Sequence, residues 1–167
     1  MSAERNEPAG EIIRKRIQEI LESDFREIGI FRHFEAEETV GIEGYFELRH
    51  HAPGFVVIEE GAQVDYLGIV VDGKLEARHR PSVDGHDMVI AHLEKGSHIG
   101  SISSPGGRPA MATVVAEVET EILCLRKERF DDLAVDHPQT AIRLLKGIIE
   151  ALSIRLDNAI DRVVLLS

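Results

Sequence analysis

Between Gly54 and Leu125 the chain is cut into runs of four to six residues rich in Val and Ile, with glycines between them at positions 54, 61, 73, 85, 96 and 100. Most successive glycine gaps are seven to twelve residues, the spacing of short strands joined by tight turns. Asp72-Gly73, between Leu67–Val71 and Lys74–His79, predicts a hairpin, because both central residues of a type I′ turn need positive φ. Val83-Asp84-Gly85 repeats that signal between Leu75–Arg80 and Met88–Leu93. Gly61 and Gly73 stand where the chain must reverse with positive φ, a conformation costing other residues about 1 kcal/mol or more. The interval is expected to form an antiparallel roll or barrel.

The flanks read as helical. Residues 9–30 suggest an amphipathic helix with Ile12, Ile13, Ile17, Ile20 and Leu21 near one face, followed by an apolar knot at Phe31 and Phe34. Glu37 to His50 has some helical character through Val40, Ile42, Tyr45, Phe46 and Leu48, weakened by Gly41 and Gly44. A short helix is expected over Lys127–Val135, stopped near Asp136-His137-Pro138. From Pro138 to about Leu166 the apolar positions Leu145, Ile149, Leu152, Leu156, Ala159 and Val163 alternate gaps of four and three, a heptad seam. Its polar flanks (Arg155, Asp157, Asn158, Asp161, Arg162) favour a homodimer through this helix; packing on its own roll is the alternative. The expected division is an N-terminal helical extension over 1–30, a β-roll over 31–137 and a long helix over 138–167.

Charge narrows the partners. Nineteen Lys and Arg against 30 Asp and Glu give a formal charge of −11, which repels nucleic acid and anionic membranes alike. Arg14-Lys15-Arg16 is followed at once by Glu19, Glu22 and Asp24, so it reads as one side of a solvated helix. No direct nucleic-acid binding and no membrane association are expected. Without a signal-type segment or a run of about 18 apolar residues, the expected location is the cytoplasm. Cys124 is the single cysteine and lies in the apolar run Ile122-Leu123-Cys124-Leu125, the setting of a buried structural thiol.

Catalytic and metal signals are weak. The side chains of His50-His51 would point to opposite faces of a strand. His33, His79, His86, His92 and His98 show no metal-type spacing with Cys or carboxylates, although His79 and His92 can lie on neighbouring strands. No nucleophile–base pattern, phosphate-binding loop or zinc-hydrolase motif is present. Neither an enzyme nor a metal protein is expected.

In the roll, Val57-Ile58-Glu59-Glu60-Gly61, Asp65-Tyr66-Leu67-Gly68-Ile69-Val70 and Asp72-Gly73-Lys74-Leu75-Glu76-Ala77 follow one another. They are continued by Leu93 to Gly100, by Ala112-Thr113-Val114-Val115-Ala116 and by Arg129-Phe130-Asp131-Asp132-Leu133. In this order the segments resemble the cyclic-nucleotide-binding domain of catabolite-activator/Fnr-type regulators, from about Phe31 to Asp161. The resemblance implies a mainly β fold with flanking helices: an eight-stranded jelly roll (a double-stranded β-helix), N-terminal helices and a long dimerising C-terminal helix. In members that bind cyclic nucleotides, the ligand cassette reads roughly F-G-E-x-A-L, a variable loop, then P-R-x-A-T-V. There the carboxylate accepts a ribose hydroxyl and the guanidinium pairs with the cyclic phosphate.

Laid on that pattern, Gly100 matches the glycine and Ser101 stands where the glutamate belongs. Pro109 matches the proline, Ala110 takes the place of the arginine, and Ala112-Thr113-Val114 match the A-T-V that closes the pattern. The ligand-binding turn is therefore expected to comprise Gly100, Ser101, Ile102, Ser103, Ser104, Arg108, Ala110, Met111 and Ala112, without the two signature side chains. Cyclic AMP or cyclic GMP is not expected in the usual grip, and no cofactor is expected. Serine hydroxyls and backbone N–H groups, Arg108 swinging in, or a smaller or neutral ligand are the open alternatives to a plain surface turn. The chain stops at Ser167, short of the helix-turn-helix that comes after the long helix in the related regulators. The expected function is a non-enzymatic sensory or regulatory module that signals through a partner protein. The alternatives are a scaffold that kept the fold without a ligand, or the sensory fragment of a ligand-gated transcription factor.

Overall fold

The structure is a computed structural model that describes residues 9–24, 26–80, 85–102 and 108–165. Val83, Asp84, Ser103, Ser104 and Leu166 lie outside the described residues. Helix α1 spans Ala9–Glu19 and runs on as a π turn over Ile20–Asp24. Short 3-10 turns follow at Gly29–Phe31, Ala36–Thr39 and Glu43–Tyr45. The strands are β1 (Glu47–His51), β2 (Val56–Ile58), β3 (Gln63–Val64), β4 (Tyr66–Asp72) and β5 (Leu75–His79), then β6 (Met88–Leu93), β7 (His98–Gly100), β8 (Arg108–Pro109), β9 (Thr113–Ala116) and β10 (Thr120–Arg126). Helices α2 (Lys127–Asp136) and α3 (Pro138–Leu165) end the chain's described part.

Two four-stranded antiparallel sheets, ordered β1-β10-β4-β7 and β2-β9-β5-β6, face each other, and β3-β8 forms a small third ladder. Strands β4 and β10 are apolar at nearly every position because both of their faces are covered. Leu67, Ile69 and Val71 of β4 and Leu123 and Leu125 of β10 pack with Ile17, Ile20, Phe31 and Leu144 on the helical side. Val70, Ile122 and Cys124 point the other way, into the roll, with Leu75, Val114 and Ala116 of the second sheet. Each such side chain stabilises the fold by about 1.5–3 kcal/mol when fully buried, so the first sheet is shared by two cores.

Several expectations are corrected. Asp72-Gly73 does not close a hairpin: β4 belongs to the first sheet and β5 to the second. Both edges of β4 are taken by β10 and β7, so the turn carries the chain from one sheet to the other. Gly73 has φ 86°, and no non-glycine residue among those described has positive φ, which rules out a type I′ turn. The Lys74 amide and the buried Thr120 hydroxyl oxygen, 3.1 Å apart, close that corner. By contrast, β5 and β6 do pair antiparallel, from Leu75↔Leu93 to His79↔Met88.

The helical reading of 37–50 gives way to the last two 3-10 turns and β1, because Glu47–His51 finds a full ladder partner in β10. On α1, Ile17 is buried but Ile12 and Ile13 are 53% and 43% exposed. That helix reaches the body through its last turn and two ion pairs, Arg14–Glu43 at 2.8 Å and Arg16–Glu121 at 3.0 Å. The basic triplet is thus partly neutralised within the fold rather than simply solvated.

Helix α3 lies against the Gly29–Phe31 turn through Thr140, Ala141, Leu144 and Gly147. Farther along, Arg155 Nη2 donates to the His98 carbonyl at 2.9 Å and Arg162 Nη1 to the Ile90 carbonyl at 3.3 Å. Both arginines, expected as flanks of a dimer seam, reach back to their own roll. Among the described residues no helix is long and apolar enough to cross a membrane.

Candidate functional site

The cassette begins where β7 ends. Gly100 pairs with Leu67 of β4 at φ 72°, and a Cβ there would lie 2.1 Å from the Tyr66 carbonyl oxygen. No residue with a side chain fits, so the chain turns at a fixed point. Ser101 is half-buried beyond it, and Ile102 is buried against the helical-side core. Residues 103–107, which include Ser103 and Ser104, lie outside the described residues.

The chain re-enters at β8, where Arg108 is paired with Val64 and Pro109 with Gln63. Arg108 is exposed. Ala110 is held on both sides: its amide donates to the Ala62 carbonyl at 2.8 Å, and its carbonyl accepts from the Gly61 amide at 2.8 Å. Ala110 and Ala112 are half-buried against the roll interior formed by Val64, Leu75, Ile99 and Val114. Met111 between them is 85% exposed. The methyl of Ala110 therefore borders an apolar interior on a backbone fixed by two hydrogen bonds.

A polar network that sequence reasoning missed braces this segment from outside. His79 Nδ1 lies 3.1 Å from Glu60 Oε1 and 3.2 Å from the Met111 carbonyl. Both partners are acceptors, so Nδ1 carries the proton. The Arg80 amide donates to Glu60 Oε2 at 3.2 Å, and the Glu60 amide to Thr113 Oγ1 at 3.1 Å. Glu60 stands in the "EG" of the strand pattern, but His79 and Met111 are 32 residues apart, and no local signal links them.

The other end of β7 meets α3. His98 is 5% exposed, and its Nε2 is buried without a hydrogen-bond partner. Burial, followed by the charge of Arg155, pushes its pKa down to about 4, so the imidazole is neutral at physiological pH. The strand that carries the cassette glycine is thus also the strand gripped by the long helix. Cys124 is buried as expected, and burial pushes its thiol up to about 11.

A cavity of about 440 Å³ lies away from the cassette, lined by Arg26, Arg32, His33, Phe34, Glu35 and Arg143. Its guanidinium groups are committed locally: Arg143 to Glu35 at 2.7 Å and Glu38 at 3.2 Å, and Arg32 to Glu150 at 2.7 Å. The seam residues Leu145, Ile149, Leu152, Leu156, Ala159 and Val163 all remain exposed, whereas Ala141, Leu144 and Gly147 in the first half of α3 are buried.

Residues 48–137 match the family model for the cyclic nucleotide-binding domain. The cAMP-dependent protein kinase regulatory subunit of Blastocladiella emersonii is 25% identical over 143 residues, covering 86% of this chain and 34% of that protein. The chain thus spans about a third of the length of this curated relative. Among solved structures, a cyclic nucleotide-binding domain from Methylobacillus flagellatus superposes with TM-score 0.79 at 25% identity, covering 92% of this chain and 85% of its own. The catabolite activator protein of Thermus thermophilus superposes with TM-score 0.67 at 26% identity, covering 83% of this chain and 62% of its own.

Proposed function

The chain belongs to the cyclic nucleotide-binding domain family, and we propose that it is a non-enzymatic regulatory module that does not hold cyclic AMP or cyclic GMP in the usual grip. The observation that carries this reading is Ala110. It matches the family's arginine position, its peptide is tied to Gly61 and Ala62, and it offers a methyl where a phosphate would need a cation. Losing one partner of a buried guanidinium–phosphate pair costs about 2–5 kcal/mol, roughly thirty- to several-thousand-fold in affinity. Ser101 at the glutamate position removes the carboxylate that would accept from the ribose hydroxyl as well. The net charge of −11 gives an anion no long-range attraction to compensate. A neutral or smaller guest suits this lining better than a cyclic phosphate.

Calorimetry with cyclic AMP and cyclic GMP tests the cassette. The unmodified chain is expected to stay silent, and the Ser101→Glu, Ala110→Arg double variant to gain measurable binding. Micromolar binding of either nucleotide to the unmodified chain overturns the reading.

Output is proposed to pass through α3 to a second copy of the chain and on to a partner protein in the cytoplasm. Leu145, Ile149, Leu152, Leu156 and Val163 are 40–65% exposed, and the helix's inward face is already used by the roll. A heptad seam of this kind is buried by pairing with another helix. Sedimentation of a Leu152→Glu, Leu156→Glu variant is expected to read monomer where the parent reads dimer. A parent that is monomeric at tens of micromolar refutes the dimer.

A further inference from the structure

The outer face of the second sheet carries a cluster that the cassette does not use. Glu76 on β5 stands directly opposite His92 on β6 in the strand register. Glu117 follows β9 at once, its amide donating to the Lys74 carbonyl at 2.9 Å. One ligand-type atom from each of the three side chains lies within 4.8 Å of the others. The closest pair, His92 Nδ1 and Glu117 Oε1, is 2.9 Å apart.

We propose that Glu76, His92 and Glu117 bind a divalent first-row transition-metal ion of the zinc type. Ligand atoms roughly 2.1 Å from a tetrahedral ion of this kind stand about 3.4 Å apart. The His92–Glu117 pair, at 2.9 Å, needs only a small opening to reach that spacing, and the Glu76 ligand atom lies within 4.8 Å of both. The ion takes the place of the proton between Nδ1 and Oε1, and that proton leaves to solvent or to Nε2. One neutral imidazole with two carboxylates suits zinc, nickel, cobalt or manganese, and with no thiolate it disfavours copper(I). Waters complete the coordination, since the His92 side chain is 51% exposed.

Two features set this cluster apart from ordinary surface acids. The carboxylates are shielded: the Glu76 side chain is 13% exposed and that of Glu117 23%, both on paired or strand-flanking backbone. Each is also held from behind. Lys74 Nζ takes Glu117 Oε2 at 3.1 Å, which leaves Oε1 turned to His92, and Arg78 Nε bonds Glu76 Oε1. Outer partners of this kind fix the orientation of metal ligands. The same two cations oppose a third, which points to micromolar rather than nanomolar affinity.

A bound ion ties the β5–β6 hairpin to the end of β9, the strand that continues from Ala110–Ala112. Calorimetry of the full chain with zinc chloride alone, and melting with and without zinc, test the site. One-site micromolar binding and a raised Tm are expected. His92→Ala and Glu117→Gln, both at exposed or partly exposed side chains, are each expected to weaken binding about tenfold or more. His50→Ala is expected to leave it unchanged. Cobalt(II) titration supplies a second readout, with visible bands that vanish in His92→Ala. No binding at micromolar zinc, or an isotherm unaltered in His92→Ala with circular dichroism intact, overturns the proposal. None of these measurements depends on what occupies the cassette.

Discussion

Replacing Gly147 by alanine isolates the contact that seats the long helix. A Cβ at this position would stand 1.8 Å from the Ile30 carbonyl oxygen and 2.6 Å from its carbonyl carbon, where ordinary contact begins near 3.4 Å. Neither atom can rotate away, because both are backbone. The helix must therefore retreat by roughly 1.5 Å, and close-packed interiors do not absorb such a shift. Ala141 and Leu144 are buried on the same side of α3, and Ile148 and Ala151 pack against that core, so all four contacts loosen together. Overpacking costs about 1–3 kcal/mol, and a rigid backbone obstacle points to the upper end. Alanine's better helix propensity returns about 1 kcal/mol. The net loss is about 2 kcal/mol, a fall in Tm of roughly 4–8 °C for a chain of this size. Scanning calorimetry of Gly147→Ala beside Gly10→Ala measures it. Gly10 lies in α1 with nothing within 4 Å of its Cβ position, so the same substitution there is expected to be neutral or stabilising. A Gly147→Ala variant as stable as the parent refutes the close seating of α3 on Ile30.

Acid should act through His98, whose ordinary pKa of 6.5 is lowered to about 4 by burial and Arg155. The unfolded chain takes up this proton first as pH falls, so stability is present above pH 6.5 and is lost progressively towards pH 4. The loss is on the order of 3 kcal/mol, visible as a falling urea midpoint that flattens in His98→Gln. With its pKa raised to about 11 by burial, the Cys124 thiol should react with Ellman's reagent at pH 8 only in denaturant. Rapid labelling of the native chain contradicts its placement in the roll interior. Arg14 donates twice to Glu43 Oε1, at 3.1 and 2.8 Å, and the other oxygen of that carboxylate is buried without a partner. Burial pushes the Glu43 pKa up, but backbone N–H groups and Arg14 outweigh it and hold the pKa below its ordinary value. Arg14→Ala is expected to destabilise by about 1–3 kcal/mol in chemical denaturation, whereas Lys15→Ala should change little.

Much of the architecture was legible because strand and helix leave periodic marks. The glycine spacing from 54 to 100 marked the turns, and the apolar runs at 67–71 and 122–125 marked the strands with both faces covered. The heptad from Leu145 to Val163 marked apolar residues that the fold leaves exposed. At the cassette, the identities of Ser101 and Ala110 were plain from the letters, since a missing charge needs no coordinates to be seen. Where the reading went astray, the cause was competition for partners. Glu47–His51 has a helical-looking approach, but an open edge of β10 captured it as a strand. Asp72-Gly73 has hairpin chemistry, yet β10 and β7 already flank β4, so β5 joined the other sheet.

From the letters alone came the roll, the long helix, the acidic composition and the presence of Ser101 and Ala110 at two positions of the resembling pattern, all set by local composition and spacing. Folding alone decided which distant groups meet: Gly147 against Ile30, Arg155 on His98, and Glu76 and His92 beside Glu117. These contacts join residues from separate strands and helices, and their geometry depends on sheet register and helix docking. Local sequence periodicity encodes which face of an element is apolar, but not which element will cover it.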